Sequence, residues 1–267
     1  MTGNTFRASG SEGVSESIGF LLIFTLMIIG IGMVTLYGYP MLMKQQVSAD
    51  EQIMEKNMIV LQNDIKSLAY KTVPYKETAL KIGGGTLTVY NSQYASPASE
   101  ITIYDDNAVT FVEAFKSGDL MYVSDSAETD ISLQNGAVVK RQAMTSGSVM
   151  LAEPRWFYDG QTKTMVINLV NLTSQDMISR EGIGTVQMAL GETRFDKYDN
   201  PSLVPIYVDY DPDTEQDYSV AWDNYFLNTL GMTRESGTPG TGTTLTYQLP
   251  PTTTLVIKQY EVIIRSL

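Results

Sequence analysis

Cysteine and histidine are both absent from the 267 residues, and these two absences remove a wide range of chemistry. Zinc sites built on Cys or His, iron–sulfur clusters and haem ligation through either residue are excluded. A Ser-His-Asp or Cys-His relay has no base. An exported domain of this chain would have to be stable without disulfides. Basic residues are scarce: 18 Lys and Arg stand against 30 Asp and Glu, for a net charge of −12. An acidic chain repels phosphate backbones, and no basic patch marks the footprint of a nucleic-acid binder. No nucleic-acid partner is expected. Nucleotide motifs are missing too. GIGTVQ at 182–187 lacks the third glycine of a dinucleotide loop, and GIGMVT at 30–35 lies inside an apolar run. No G-x-S-x-G and no phosphate-binding G-x-x-x-x-G-K-[ST] occurs. No catalytic residue, metal or cofactor is assigned, and the chain is not expected to be an enzyme. Carboxylate pairs of the glycosidase kind stay open, because only their spatial separation reveals them.

What the chain has instead is one long uncharged run. From Ser17 to Met43 no residue carries a charge. That exceeds the roughly 20 apolar residues needed to cross about 30 Å of hydrocarbon. A secretory signal has a basic start, an apolar core of about 7–15 residues and a small-residue cleavage site after it. Here the run is too long, only Arg7, Glu12 and Glu16 precede it as charges, and no A-x-A pattern succeeds it. The run reads as a retained single-pass membrane anchor. Arg7 and Lys44 balance each other across it, so the positive-inside rule does not orient it. The large polar remainder reads as a folded domain outside the cell membrane, with the N-terminus cytoplasmic.

The helical pattern continues past Lys44. Val47, Met54, Met58, Leu61, Ile65 and Leu68 lay one apolar stripe along a helix, with Asp50, Glu51, Glu55, Lys56, Gln62, Asn63 and Lys66 on the other faces. Pro74 ends the pattern. One helix of about 55 residues, about 80 Å long at 1.5 Å per residue, is expected, with a kink or local melting at Gly38 and Pro40. The stripe needs a surface to bury it, either the later domain of the same chain or a neighbouring subunit.

Gly13-Val14-Ser15-Glu16-Ser17-Ile18-Gly19, continuing at once into the apolar run, resembles the start of an archaeal type IV pilin-like protein. The resemblance implies a class III signal peptide cut by a prepilin peptidase, with Gly13 as the last leader residue and Val14 as the new N-terminus. It departs from the family at Glu12, where Lys or Arg usually precedes the cut; Ile18 stands where bacterial members place Glu, as archaeal members permit. A second resemblance, to uncharacterised pilin-like membrane proteins of haloarchaea and methanogens, rests on three segments. They are Leu133–Lys140, Ile167–Thr173 and the helix start Ala221-Trp222-Asp223-Asn224-Tyr225-Phe226. The likeness to pilins implies a structural subunit of a surface filament or pseudopilus. Its partners would be copies of itself or other pilin-like subunits, the prepilin peptidase, the pilus assembly machinery and the membrane. The implied organisation is a leader at 1–13, a transmembrane and stalk helix at 14–73 and an extracytoplasmic β-rich domain at 74–267. Gly19, Gly30 and Gly32 would permit close approach of neighbouring helices. The alternative is a single-pass anchored module that binds a glycan or a cell-envelope partner outside.

After Pro74 the apolar period shortens to two. Gly83-Gly84-Gly85 is read as opening a strand over 86–90, with further alternating runs at 101–104, 109–112, 120–123 and 131–133. Later runs are 148–152, 155–158, 163–170, 185–190, 193–198, 204–210, 243–249 and 253–265. Asn135-Gly136 predicts a tight hairpin, and Asp159-Gly160 a second one. Ser219 is the expected N-cap of a short helix ending at Gly231, with Trp222, Phe226 and Leu230 on one face. Residues 236–244, SGTPGTGTT, read as a flexible loop. The fold class is therefore α+β: a long N-terminal helix, then a mainly antiparallel, sandwich-like domain with one short helix.

Two local motifs remain. Asn171-Leu172-Thr173 matches the N-glycosylation pattern. DYDPDTEQD, residues 209–217, crowds five carboxylates into nine positions. Asp209, Asp211 and Asp213 could offer oxygens to Ca²⁺, but no Gly stands sixth and no Glu twelfth, so a solvated acidic loop is the expectation.

Overall fold

The computed structural model of the chain describes residues 11–71, 73–92, 99–125, 129–142, 147–213 and 215–267, with side chains from Ser17 onward. The chain divides into two compact units, residues 1–48 and 49–267.

Helix α1 runs Ser11–Met33 and helix α2 Tyr39–Lys71, joined by a π-helical turn at Val34–Gly38. The turn is the answer to Pro40, which has no N–H and whose ring would strike the carbonyl four residues back in a regular helix. Widening the preceding turn lets the Tyr39 N–H donate to the Val34 carbonyl, so the helix passes the proline without ending. The expected disturbance is thus a bulge rather than a break.

Among the described residues fourteen strands follow α2, in two sheets. The larger contains β1 (Tyr75–Tyr90), β4 (Asp119–Ser124), β5 (Thr129–Gln134), β6 (Ala137–Gln142), β7 (Ser148–Ala152), β8 (Phe157–Asp159), β9 (Thr164–Thr173), β10 (Ile178–Asp199) and β14 (Thr254–Ser266). Its order is β7-β6-β5-β4-β1-β10-β14-β9-β8. The smaller contains β2 (Glu100–Asp105), β3 (Thr110–Lys116), β11 (Ile206–Asp211), β12 (Thr233–Ser236) and β13 (Leu245–Gln248), in the order β12-β13-β11-β2-β3. Pairing is antiparallel except between β9 and β14. The expected α+β class holds.

Alternation along the strands assigns the two cores. Val138 faces one core while Ala137 and Val139 face the other. On one face of the large sheet, Met54, Met58, Leu61, Ile65 and Leu68 of α2 pack against Leu87, Val89, Tyr122, Leu133, Val186, Ile264 and their neighbours. The stripe is therefore buried by its own domain. The other face meets the small sheet and helix α3 (Ser219–Asn224, continued by a π-helical turn at Tyr225–Thr229). Trp222 and Phe226 sit at its centre, with Trp156, Tyr210 and Tyr247 around them.

Several sequence expectations change. Gln62 is not on a solvated face: it is 1 % exposed and its Nε2 donates to the Gly136 and Glu153 carbonyls at 2.7 and 2.9 Å. Gly83-Gly84-Gly85 does not open a strand but lies inside β1, where the register breaks between Ile82 and Leu87. Asp50 of α2 rests on Gly83 and Gly84, and a Cβ at Gly85 would stand 2.3 Å from the Val123 carbonyl. The strand bends there because no side chain fits. The runs at 185–190 and 193–198 are one strand, β10, with a bulge between Leu190 and Thr193 that Gly191 makes room for. Ser219 is not the cap of α3; Tyr218 holds that position without a side-chain cap, while Ser219 Oγ accepts the Gly240 N–H at 2.7 Å. Loop 236–244 is tied down rather than free, since the Gly242 N–H donates to Asp217 and the Thr244 hydroxyl to Asp211. Asn135-Gly136 forms its two-residue hairpin between β5 and β6, with φ of 46° and 71°.

Candidate functional site

The first functional feature is the apolar segment. Ser17–Lys71 is one helix long and apolar enough to cross a membrane; its most apolar window has a mean hydropathy of 2.5 and is 0 % buried. Phe20, Leu21, Ile23, Leu26 and Ile31 are each more than 60 % exposed. An exposed apolar surface on this scale is far beyond the few hundred Å² that soluble monomers leave open. Its threonine hydroxyls are already satisfied: Thr25 and Thr35 donate to the Leu21 and Ile31 carbonyls at 2.8 and 2.9 Å, as hydrocarbon demands. Tyr37 and Tyr39, 76 % and 62 % exposed, stand at the end of the run near Lys44, where amphipathic rings favour a headgroup interface.

Gly19, Gly30 and Gly32 lie on this segment with nothing within 4 Å of where a Cβ would stand. Gly13 and Val14 fall within α1, but the side chains of residues 11–16 and the whole of residues 1–10 lie outside the described residues. Asn171 is half-buried in β9, its Oδ1 enclosed without a partner among the described residues; Thr173 Oγ1 donates to Glu261 at 3.2 Å.

The acidic segment 209–217 spends four of its five carboxylates on the fold. Asp209 and Asp211 lie on β11, where Asp209 accepts the Tyr104 hydroxyl. Asp213 caps the Glu215 and Gln216 N–H groups, and Asp217 caps Ser219. No group of three or more metal-binding acidic side chains converges among the described residues. Beside this segment lies a small polar cavity lined by Asp119, Gln134, Gln216 and Tyr218 among others, of about 10 Å³, which admits nothing larger than one water. Asp119 is buried there, accepting the Ser132 hydroxyl at 2.6 Å. Burial, opposed by that hydrogen bond and reinforced by Asp130 and Asp213, pushes its carboxyl up to about 8. Asp130 is held by Arg141 at 2.7 Å.

The second functional feature is a cleft in the 49–267 unit. Helix α2 ends at Lys71 and covers only part of its sheet face. Beyond it, the same face of β9, β10 and β14 is open, and β8 borders it at the sheet edge. The resulting cleft of about 470 Å³ is lined by Tyr70, Arg155, Phe157, Phe195, Lys258 and Tyr260, with Asn168 on its floor. Tyr70 and Tyr260 meet edge to face at 5.3 Å. The Arg155 guanidinium lies 4.6 Å from the Tyr70 ring centre, and the Lys258 ammonium 5.7 Å from that of Phe195. Burial, and then the neighbouring Tyr260, raises the Tyr70 hydroxyl's pKa well above its ordinary value while Arg155 opposes; burial likewise raises Tyr260. Both stay protonated donors at neutral pH. Lys66, one turn earlier on α2, has its pKa lowered by burial and then by Arg155. Sequence reasoning missed this cleft because five elements supply it. The one signal was Asn168 and Lys258, polar residues interrupting otherwise apolar strand interiors.

Fold and site together define a class: an apolar N-terminal helix of membrane-crossing length ahead of a β-rich domain, which is a pilin-like layout and compatible with a membrane-anchored protein. The chain belongs to the Family of unknown function (DUF7289), whose model matches residues 12–265. No curated protein and no solved structure matches it.

Proposed function

We propose that the chain is a type IV pilin-like structural subunit of an archaeal cell-surface filament or pseudopilus. In this reading the peptidase cuts between Gly13 and Val14, the apolar helix holds the subunit in the cell membrane, and the β-rich domain stands outside. On assembly the apolar helices leave lipid for a bundle with other subunits. Hydrocarbon and a packed helix core solvate these side chains alike, so the transfer is driven by packing between subunits, with Gly19, Gly30 and Gly32 as points of close approach. The observation that supports the reading is the division of labour along the helix. The 49–71 part buries its stripe in its own domain, while the span keeps its large apolar side chains exposed. Mass spectrometry of the N-terminus of membrane-derived protein tests it. A chain that starts at Val14 is expected; an intact Met1 start, or one beyond Met43, would count against it. Electron microscopy of sheared surface material then separates an assembling subunit from one that stays in the membrane.

The cleft favours a second reading, a single-pass anchored module that binds a glycan or envelope partner through its outer domain. The two are compatible, since the cleft lies in the 49–267 unit and assembly uses the apolar span.

A further inference from the structure

We infer that the cleft between the end of α2 and strands β8, β9, β10 and β14 is a binding site for an acidic oligosaccharide, one whose pyranose units carry carboxylates. Three features lead there. The volume of about 470 Å³ lies within the range of ligand pockets, and its lining is aromatic with a few polar groups, as in such pockets. In a chain of net charge −12, no Asp or Glu lines it, whereas Arg155 and Lys258 do. Among the described residues neither cation is held in an ion pair. Each instead lies over a ring, so the cleft presents two ring-and-charge pairs, Arg155 with Tyr70 and Lys258 with Phe195.

A sugar acid uses both halves of such a pair. The C–H face of its ring lies against the aromatic face, and its carboxylate takes the ammonium or guanidinium as a charge-assisted partner. The protonated hydroxyls of Tyr70 and Tyr260 donate to ring and hydroxyl oxygens. Phe157 and Phe195, 48 % and 60 % exposed, extend the apolar floor outward, enough for more than one sugar unit. A peptide fits less well. β8 is the strand at this edge, and with three residues it is too short for strand addition, so a peptide would gain no main-chain ladder. The site would serve an anchored monomer and a filament subunit alike, so it does not depend on assembly.

The test is calorimetric titration of the full chain in detergent micelles. The probes are trigalacturonate and a hyaluronan tetrasaccharide, against maltotriose and a tri-glutamate peptide. Binding of at least one acidic saccharide is expected, at least tenfold tighter than maltotriose or tri-glutamate and weakening with salt. Phe195→Ala and Lys258→Gln are each expected to weaken it fivefold or more. Lys116→Gln, on β3 of the small sheet and ion-paired to Glu100, removes the same charge away from the cleft and is expected to leave binding unchanged. Phe195 is exposed, so its truncation keeps the fold, which the urea midpoint checks. Failure of both acidic saccharides to bind at millimolar concentration overturns the proposal, as does binding that ignores both cleft variants. Tighter binding of tri-glutamate would replace the saccharide with an acidic peptide, and equal binding of maltotriose would remove the role of the cations.

Discussion

Residues 17–43 and 54–68 are both helical, yet their apolar side chains have opposite fates. In the first stretch Leu21, Leu26 and Leu36 are 67 %, 66 % and 71 % exposed; in the second Met54, Met58, Leu61 and Leu68 are 0 % exposed. The first is apolar all round, and its threonine hydroxyls are satisfied by carbonyls of the same helix. The second has one apolar stripe, and its other faces carry ion pairs such as Glu55–Lys140 at 2.7 Å. A helix that satisfies every polar group internally is built for a solvent without hydrogen bonds; one that divides its faces is built for a folded domain in water. The contrast shows that α2 is a structural part of the β-rich domain as well as a continuation of the apolar helix.

Paired truncations put that contrast to the test most strongly. Leu61→Ala removes a side chain from the core beneath the large sheet and is expected to cost about 2–5 kcal/mol of domain stability. Leu26→Ala, in the span, is expected to change it by less than about 0.5 kcal/mol. Both chains would be unfolded in urea in mild micelles, monitored by tryptophan fluorescence. Trp156 and Trp222 both lie in the 49–267 unit, so the signal reports that unit alone. Equal losses from the two variants would erase the distinction.

Next in size is a pH effect confined to the domain. Asp119 holds its proton in the folded state up to about pH 8 but ionises near 3.8 when exposed. Between those values the folded state binds more protons than the unfolded one. Domain stability is therefore full below about pH 4 as far as this group is concerned, and falls as pH rises, by at most about 1.4 kcal/mol per pH unit. Asp119→Asn keeps the Ser132 hydrogen bond with a neutral acceptor and is expected to flatten the slope between pH 5 and 7. An unchanged slope in urea midpoints would dissociate Asp119 from it.

The smallest expected effect concerns the single buried polar residue in the core-facing stretch of α2. Gln62→Ala takes the side-chain donor from the Gly136 carbonyl and leaves the Glu153 carbonyl to Lys66 Nζ at 3.3 Å. The cost is expected to be about 1–3 kcal/mol, from leaving the buried Gly136 acceptor unsatisfied. A loss within error of zero would mean that water reaches these carbonyls and that the joint between α2 and the β5–β6 hairpin is open.

The legibility of the sequence tracks the range of the interactions. Asn135-Gly136 is readable because positive φ at two consecutive positions is a local demand that few residue pairs meet. The stripe of α2 is readable because a helix face repeats. Ser219 misleads because its hydroxyl meets a glycine N–H from residue 240, a partner that neighbouring sequence does not reveal. The glycines at 83–85 and 191 read as ends of strands, though what they accommodate are Asp50, Tyr122 and Glu261 from distant elements. Strand β12, Thr-Arg-Glu-Ser, is exposed throughout and carries no apolar alternation, so nothing in its composition announces it.

By itself the sequence determined that this chain has a membrane-length apolar helix, a second helical stretch with one face to bury, and a β-rich remainder free of Cys and His chemistry. Those properties depend on composition and on periods of two and 3.6, which neighbouring residues establish among themselves. Only the tertiary structure decided which surface takes the stripe, how the long strands bend past their glycines, and that Tyr70, Arg155, Phe195 and Lys258 share one cleft. These depend on contacts between residues tens to nearly two hundred positions apart, and no local period records such contacts.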